Sequence, residues 1–183
     1  FYNIKNTQLG NTFERNISDI RPNLRVNLQF KKSESLRFTF RKNTQFTDVN
    51  NLAQGYVFNN YNNIFQGNRE LEAAVVNAYN LNYRSINQFT FTNIFANASY
   101  SKRSNSIQSR ANVNGINAIR TSTNSVFPRE TYSLSGRIDK RFKNMKLNFS
   151  TRYNFSEFTN VINDQINKSE SLTQNYTYLL LKK

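Results

Sequence analysis

The chain has 183 residues, a formal net charge of +14 and a mean hydropathy of -0.72, a length that suits one domain or a piece of one. It contains no cysteine and no histidine, which excludes disulfides, thiolate metal sites and the commonest general base, so we expect no enzyme, no cofactor and no metal site. The polar composition alone favours disorder, but 16 Phe and 10 Tyr at strand-like spacing argue for a folded β-protein.

A strict alternation of apolar and polar residues predicts about seven strands. In chain order they cover residues 23–30, 36–46, 71–84, 89–102, 129–142, 146–158 and 171–183. A period of two places successive side chains on opposite faces of a sheet. Most of these segments exceed the roughly five or six residues usual in globular sheets, and they suit the ~9–11 residues of a tilted strand that crosses a bilayer.

One predicted strand breaks the alternation. Within residues 89–102 the apolar positions begin at Phe89 and Phe91 and then change phase to Ile94 and Ala96. A shift of one residue moves every later side chain to the other face, which is the effect of a β-bulge. We therefore predict a bulge in this strand, the alternative being a strand with small residues on both faces and no strong preference for either.

The predicted connections alternate between short links and long polar loops. The long loops cover residues 47–69, 103–127 and 159–170. Within the second loop, Asn114 and Gly115 form a residue pair typical of a two-residue hairpin. Short turns at one end and long loops at the other are typical of outer-membrane barrels. The loop residues expected to face outward are Tyr56, Tyr61, Asn114 and Gly115.

The alternation divides the strands into two faces, and the environment of the apolar face decides the function. If this face meets lipid, the lipid-facing candidates are Leu24, Val26, Leu28, Leu36, Phe38, Phe40, Leu134, Leu147 and Phe149. The lumen-facing candidates are then Arg25, Arg37, Arg41, Arg137 and Arg152. We expect these arginines mainly to pair across strands, although on a lumen wall they would also attract anions. The alternative is a soluble sandwich in which a second sheet covers the apolar face.

Residues 19–84 resemble the barrel of TonB-dependent receptor-like outer-membrane proteins of Gram-negative bacteria. The matching segments are Arg21-Pro22-Asn23-Leu24, Ser35-Leu36-Arg37-Phe38, Arg41-Lys42-Asn43 and Gly67-Asn68-Arg69-Glu70-Leu71. The last stands where the family carries a Gly-Asn-Pro-x-Leu motif, with Arg69 in place of the proline. The resemblance implies an all-β fold, a transmembrane antiparallel meander in the bacterial outer membrane. Because seven strands are too few for a large barrel with an even strand number, we expect residues 1–183 to be a single segment of a larger β-barrel domain.

Three functions stay open. The first, which the resemblance implies, is uptake of a solute across the outer membrane, with outer-membrane lipid, lipopolysaccharide, a plug domain, a surface lipoprotein or other outer-membrane subunits as partners. The second is a non-transporting barrel that serves as a structural or interaction subunit of a surface complex. The third is a soluble basic β-sandwich that binds anionic polymers. The basic residues form no recognition helix, so we do not expect nucleic acid as a partner.

Overall fold

The computed structural model describes residues 2–6, 11–15, 19–52, 56–60, 63–114, 117–162 and 165–182. These ranges contain one short helix, α1 (Val49–Leu52), and thirteen strands. The strands are β1 (Tyr2–Asn6), β2 (Asn11–Arg15), β3 (Asn23–Lys31), β4 (Glu34–Gln45), β5 (Tyr56–Asn60), β6 (Asn63–Gln66), β7 (Ala74–Asn87), β8 (Thr92–Ser104), β9 (Ile107–Asn114), β10 (Asn117–Asn124), β11 (Arg129–Arg141), β12 (Met145–Ile162) and β13 (Gln165–Lys182).

Seven long strands form an antiparallel meander in the order β3-β4-β7-β8-β11-β12-β13. They coincide with the seven segments that the alternation predicts, so the all-β class and the antiparallel sheet are confirmed. Within the described residues β3 pairs only with β4 and β13 only with β12, and the sheet is open. Separately, β1 and β2 form an antiparallel pair of their own.

Two of the three predicted loops contain further strands, which corrects the predicted count of about seven. Residues 47–69 hold α1, β5 and β6, and residues 103–127 hold β9 and β10. We call residues 47–69 and 103–127 the first and second excursions. The parallel pairing of β6 with β10 joins them, and a single parallel bridge between Ile162 and Ala111 links them to β12. Residues 159–170 extend the β12–β13 hairpin, which closes at Ile162 and Gln165. On the β13 side of this extension residues 165–168 and 170 are exposed on both faces, so the segment shows no apolar alternation.

The predicted bulge in residues 89–102 is also corrected. Phe89 and Phe91 belong to the turn between β7 and β8, and β8 then runs in unbroken register from Thr92 to Ser104. The Asn87 side chain accepts hydrogen bonds from the backbone N–H groups of Phe89 and Thr90, both at 3.0 Å. Phe91 has φ 48°, a rare conformation for a bulky residue. The described register irregularities of this sheet lie instead in β3, between Gln29 and Lys31, and in β5, between Phe58 and Asn60.

The meander is a single layer within the described part of the chain. The accessible surface of the protein is 13550 Å², whereas a compact globular protein of 21.5 kDa exposes about 9,200 Å². The buried apolar side chains, Leu52, Leu71 and Ala74, all lie where the two excursions meet the sheet. The densest packing is therefore at the end of the sheet that carries the long connections, and the faces of the meander stay open.

Candidate functional site

The polar face of the meander carries all five arginines predicted to face a lumen: Arg25, Arg37, Arg41, Arg137 and Arg152. Their side chains share this face because directly opposed residues of antiparallel strands point to the same side. The same face holds a depression of about 750 Å³, which is lined by residues of β4, β7, β8, β11, β12 and β13. A depression that reaches six strands shows that the sheet curves around its polar side.

Four arginines surround the centre of this depression. We call Arg37, Arg84, Arg137 and Arg152 the arginine cluster. Phe95 on β8 lies between Arg84 and Arg137 in register, so these two arginines flank its ring from neighbouring strands. Strands lie about 4.8 Å apart, which separates the backbones of Arg84 and Arg137 by about 10 Å.

The arginine cluster is only partly neutralised. The Arg37 guanidinium donates to the Asn27 amide oxygen at 2.8 Å, and that of Arg137 donates to both Asp139 carboxylate oxygens at 3.1 Å. Arg37 thus pairs across strands as predicted, whereas Arg137 pairs with a residue of its own strand. Arg84 and Arg152 are exposed and have no partner among the described side chains. The described lining of the depression includes four arginines and no acidic residue, so it favours negative charge.

Amide side chains complete the floor of the depression. The Asn97 amide nitrogen donates to the Asn82 side-chain oxygen at 2.6 Å, and Asn80 hydrogen-bonds with Asn82 as well. Asn175 lies opposite Arg152 on the last strand of the meander. The surface beside the guanidinium groups is therefore polar and uncharged.

The apolar face carries all nine residues predicted to face lipid. These are Leu24, Val26, Leu28, Leu36, Phe38, Phe40, Leu134, Leu147 and Phe149. Leu24 is 52% exposed and Leu134 is 53% exposed, which is unusual for aliphatic side chains in a sheet. No described part of the chain covers this face, so a large contiguous apolar surface is left for another medium or partner.

An aromatic row crosses the apolar face on five adjacent strands. It consists of Phe40, Tyr79, Tyr100, Tyr132 and Phe155, whose successive ring centroids are 4.9, 5.8, 4.7 and 6.1 Å apart. Rings at these distances attract one another across strands. The row lies on the side of the apolar face that is nearer the long connections.

A charged row lies beside the aromatic row on the same face, two residues further along each strand towards the long connections. In register across six strands it contains Lys42, Asn77, Lys102, Glu130, Glu157 and Glu170. Lys102 and Glu130 form an ion pair at 3.4 Å, and the Tyr132 hydroxyl donates to Glu130 at 2.7 Å. One face therefore changes from aliphatic to aromatic to charged along its strands.

The charged row continues into the tip of the β12–β13 hairpin. The Lys168 ammonium lies 3.0 Å from a carboxylate oxygen of Glu170 and 3.1 Å from one of Glu157. Hydrogen bonds with Glu170 and then Glu157 raise the pKa of Lys168 above its ordinary value. This lysine therefore keeps its charge at neutral pH and holds the two acidic side chains together.

The Gly-Asn-Arg-Glu-Leu segment at residues 67–71 joins the two excursions. Its Asn68 donates its backbone N–H to the Asn51 carbonyl oxygen at 2.7 Å and its side-chain amide to the Ser122 carbonyl oxygen at 3.2 Å. The Asn68 side-chain oxygen accepts the Glu70 N–H at 2.9 Å. Leu71 is 2% exposed, the lowest value among the buried apolar residues. The segment is thus a structural anchor for the long connections.

Asn124 locks the second excursion to the start of β7. Its side-chain oxygen accepts the Glu72 N–H at 2.7 Å, and its amide donates to the carbonyl oxygens of Glu72 and Asn105, both at 2.9 Å. The Glu72 carboxylate in turn accepts the Asn105 amide at 3.0 Å. Asn105 has φ 54°, which asparagine tolerates better than most residues.

Replacing Asn124 by alanine is expected to destabilise this junction by about 1–3 kcal/mol, because polar groups of Glu72 and Asn105 lose their partners. Hydrogen exchange at the Glu72 amide measures the effect and should become at least tenfold faster. As a matched control, Asn175→Ala removes an exposed asparagine side chain on the distant strand β13 and should leave this exchange unchanged. Unchanged exchange in the Asn124→Ala variant would contradict the assigned role of the side chain.

The residues predicted to face outward are only partly described. Tyr56 lies on β5 and is 62% exposed. The neighbouring Val57 and Phe58 are exposed as well. Asn114 ends β9 and pairs with Asn117, so a β9–β10 hairpin is present, but Asn114 is its last paired strand residue and not a turn residue as predicted. Tyr61 and Gly115 lie outside the described residues.

Sequence reasoning missed Arg84 and Phe95 as members of the site. Arg84 occupies a polar position in the alternation of its strand, and this position could have assigned it to the polar face. Phe95 is an aromatic residue on a polar face, and only the register of β8 with its neighbours places it between Arg84 and Arg137. Asp139 pairs with Arg137 on its own strand and with Asn148 on β12. The Lys140 ammonium donates to the Thr90 carbonyl oxygen in the turn before β8 and to the Thr92 hydroxyl at the start of β8.

The described residues contain no group of three or more acidic side chains that could hold a metal ion. Nor is any helix in the described ranges long and apolar enough to span a membrane. Searches against protein-family models, curated proteins and solved structures gave no match for this chain.

Proposed function

We propose that this chain forms part of the wall of an outer-membrane β-barrel of the TonB-dependent receptor type, which takes up a solute across the bacterial outer membrane. The observation that carries the proposal is the order of side chains on the apolar face. Aliphatic residues give way to the aromatic row and then to the charged row, as expected where hydrocarbon, interface and water succeed one another.

The dimensions of the apolar face support the same proposal. On β12 its positions run from Leu147 to Phe155, nine residues, against the ~9–11 that a tilted strand needs to cross a bilayer. The opposite face is polar and curves around a depression, as a water-filled lumen requires. The single free edges of β3 and β13 would then pair with further strands of the wall, since unpaired edges are disfavoured in hydrocarbon.

A second candidate is a non-transporting barrel that acts as an interaction subunit of a surface complex. The observation that favours it is β5, an edge strand on which Tyr56, Val57 and Phe58 are all exposed. Exposed edge strands with apolar side chains readily pair with a partner chain. A soluble sandwich finds less support, because no second layer covers the apolar face within the described residues.

Cysteine labelling tests the membrane assignment, because the chain has no cysteine of its own. Leu134→Cys places a thiol on the apolar face, and Ser135→Cys places one on the polar face of the same strand. In cells whose outer membrane carries the protein, a membrane-impermeant maleimide should label position 135 at least tenfold more than position 134. Lipid shields the first thiol, whereas water reaches the second.

Detergent-free protein provides the control for this experiment. A soluble, monodisperse protein in which both thiols react at similar rates would contradict the proposal, since Leu134 is more than half exposed in the absence of lipid. Uptake of a labelled solute by cells that carry the protein distinguishes transport from a purely structural barrel.

A further inference from the structure

We propose that the arginine cluster around Phe95 binds a multiply charged organic anion with an apolar ring. The inference rests on the proposed function, for which it names the class of solute. It starts from the composition of the depression, whose described lining combines four arginines, one phenylalanine and several amides, without an acidic residue. No sequence motif points to this arrangement, because its members come from five strands.

The positions of the arginines define the shape of the anion. Arg84 and Arg137 flank Phe95 directly in register, while Arg37 and Arg152 lie one diagonal step further out on β4 and β12. Across an antiparallel sheet such diagonal neighbours lie about 7–8 Å apart. If the ring of the bound anion stacks on Phe95, anionic groups on both sides of that ring would therefore lie close to guanidinium groups.

The unequal pairing of the arginines shows which of them would respond to a ligand. Arg37 and Arg137 already hydrogen-bond with Asn27 and Asp139. Arg84 and Arg152 are exposed on the same surface and have no described partner. Their guanidinium groups carry planar sets of donors that match carboxylate, sulfate and phosphate groups in pairs. These two arginines are hence the primary anion-binding groups.

Phe95 supplies the apolar part of the site. Every other residue at its level on the polar face is polar or charged: Gln29, Ser35, Arg84, Arg137, Ser150 and Thr177. An aromatic ring in that setting offers a stacking surface between two cations. A purely inorganic polyanion would use the arginines and leave this ring unused.

Binding of pyrene-1,3,6,8-tetrasulfonate to the purified full chain in detergent, followed by fluorescence anisotropy at fixed ionic strength, tests the proposal. We expect saturable binding that the double variant Arg84→Gln/Arg152→Gln weakens at least tenfold. The matched control, Arg25→Gln/Arg41→Gln, removes the same charge from the same face outside the depression and should change the affinity less than threefold. Equal losses in both variants, or no saturable binding by the unaltered chain, would overturn the proposal.

A second comparison tests the role of the ring. Phe95→Ala should weaken binding of the pyrene probe at least fivefold and leave binding of tripolyphosphate unchanged. Equal weakening for both probes would overturn a stacking role. The thiol-labelling pattern at positions 134 and 135 reports the membrane assignment separately. Probe binding without that pattern would therefore refute the barrel and keep the anion site, whereas the reverse result would refute the anion site alone.

Discussion

Replacing Phe38 by arginine is expected to lower the free energy of unfolding in a phospholipid bilayer by about 2–4 kcal/mol, the range for a basic residue on the lipid face of a barrel near its midplane. Phe38 lies between Leu36 and Phe40 on β4 and opposite Val26 and Leu81 on the neighbouring strands. An arginine at this position enters a surface without polar neighbours. Guanidinium titration of the folded protein in lipid vesicles measures the effect.

The adjacent residue provides the matched control for this prediction. Thr39 lies on the polar face, opposite Arg25 and Asn80. Water reaches that face in the proposed barrel and the cost is limited to repulsion from the opposite Arg25, so Thr39→Arg should lower the free energy of unfolding by less than about 1 kcal/mol. Similar effects of the two substitutions would contradict the assignment of the apolar face to lipid.

Replacing Leu71 by alanine is expected to destabilise the long-connection end of the sheet by about 2–5 kcal/mol. The Leu71 side chain is buried where residues 67–71 meet the second excursion, and its removal leaves a cavity among the few buried groups of the described chain. The change should open the junction locally, because the meander below it is held by its own strand pairing. Limited proteolysis within residues 104–128 should become faster, together with exchange of the Ser125 amide that bonds to Ser106.

An exposed residue of the same region is the control. Val126 is 86% exposed, so Val126→Ala should alter the free energy of unfolding by less than about 0.5 kcal/mol. If Leu71→Ala unfolds the meander and the junction together, the two parts form one cooperative unit. If it changes neither proteolysis nor exchange, the anchor role of Leu71 is wrong.

Local periodicity predicted the meander because each of its strands pairs with the next long strand and presents two chemically different faces. Alternation at Leu24, Val26 and Leu28, for example, fixes both the strand and its orientation. The strands of the excursions were not predicted, because β6 pairs with β10, more than fifty residues away, and neither strand has a clear periodicity. Phe89 and Phe91 were wrongly predicted to lie in a strand, because an apolar residue in a turn imitates the start of a strand.

The site was predicted in part for the same reason. Alternation assigned Arg37, Arg137 and Arg152 to one face, but it did not predict which residues of neighbouring strands lie opposite one another. The register supplied that relation and brought Arg84 and Phe95 beside them. The aromatic row likewise depends on the register, because Tyr79, Tyr100 and Tyr132 belong to strands separated by unequal stretches of chain.

The pairing order of the meander has a consequence for how the chain folds. The short turns after β3, β7, β11 and β12 bring their flanking strands together with little loss of loop entropy, so these hairpins can form within microseconds to tens of microseconds. Pairing of β4 with β7 and of β8 with β11 must wait for the longer segments between them, and the distant β6–β10 contact closes last. We therefore expect the two excursions to stay open to proteases during refolding after the β-hairpins have become protected.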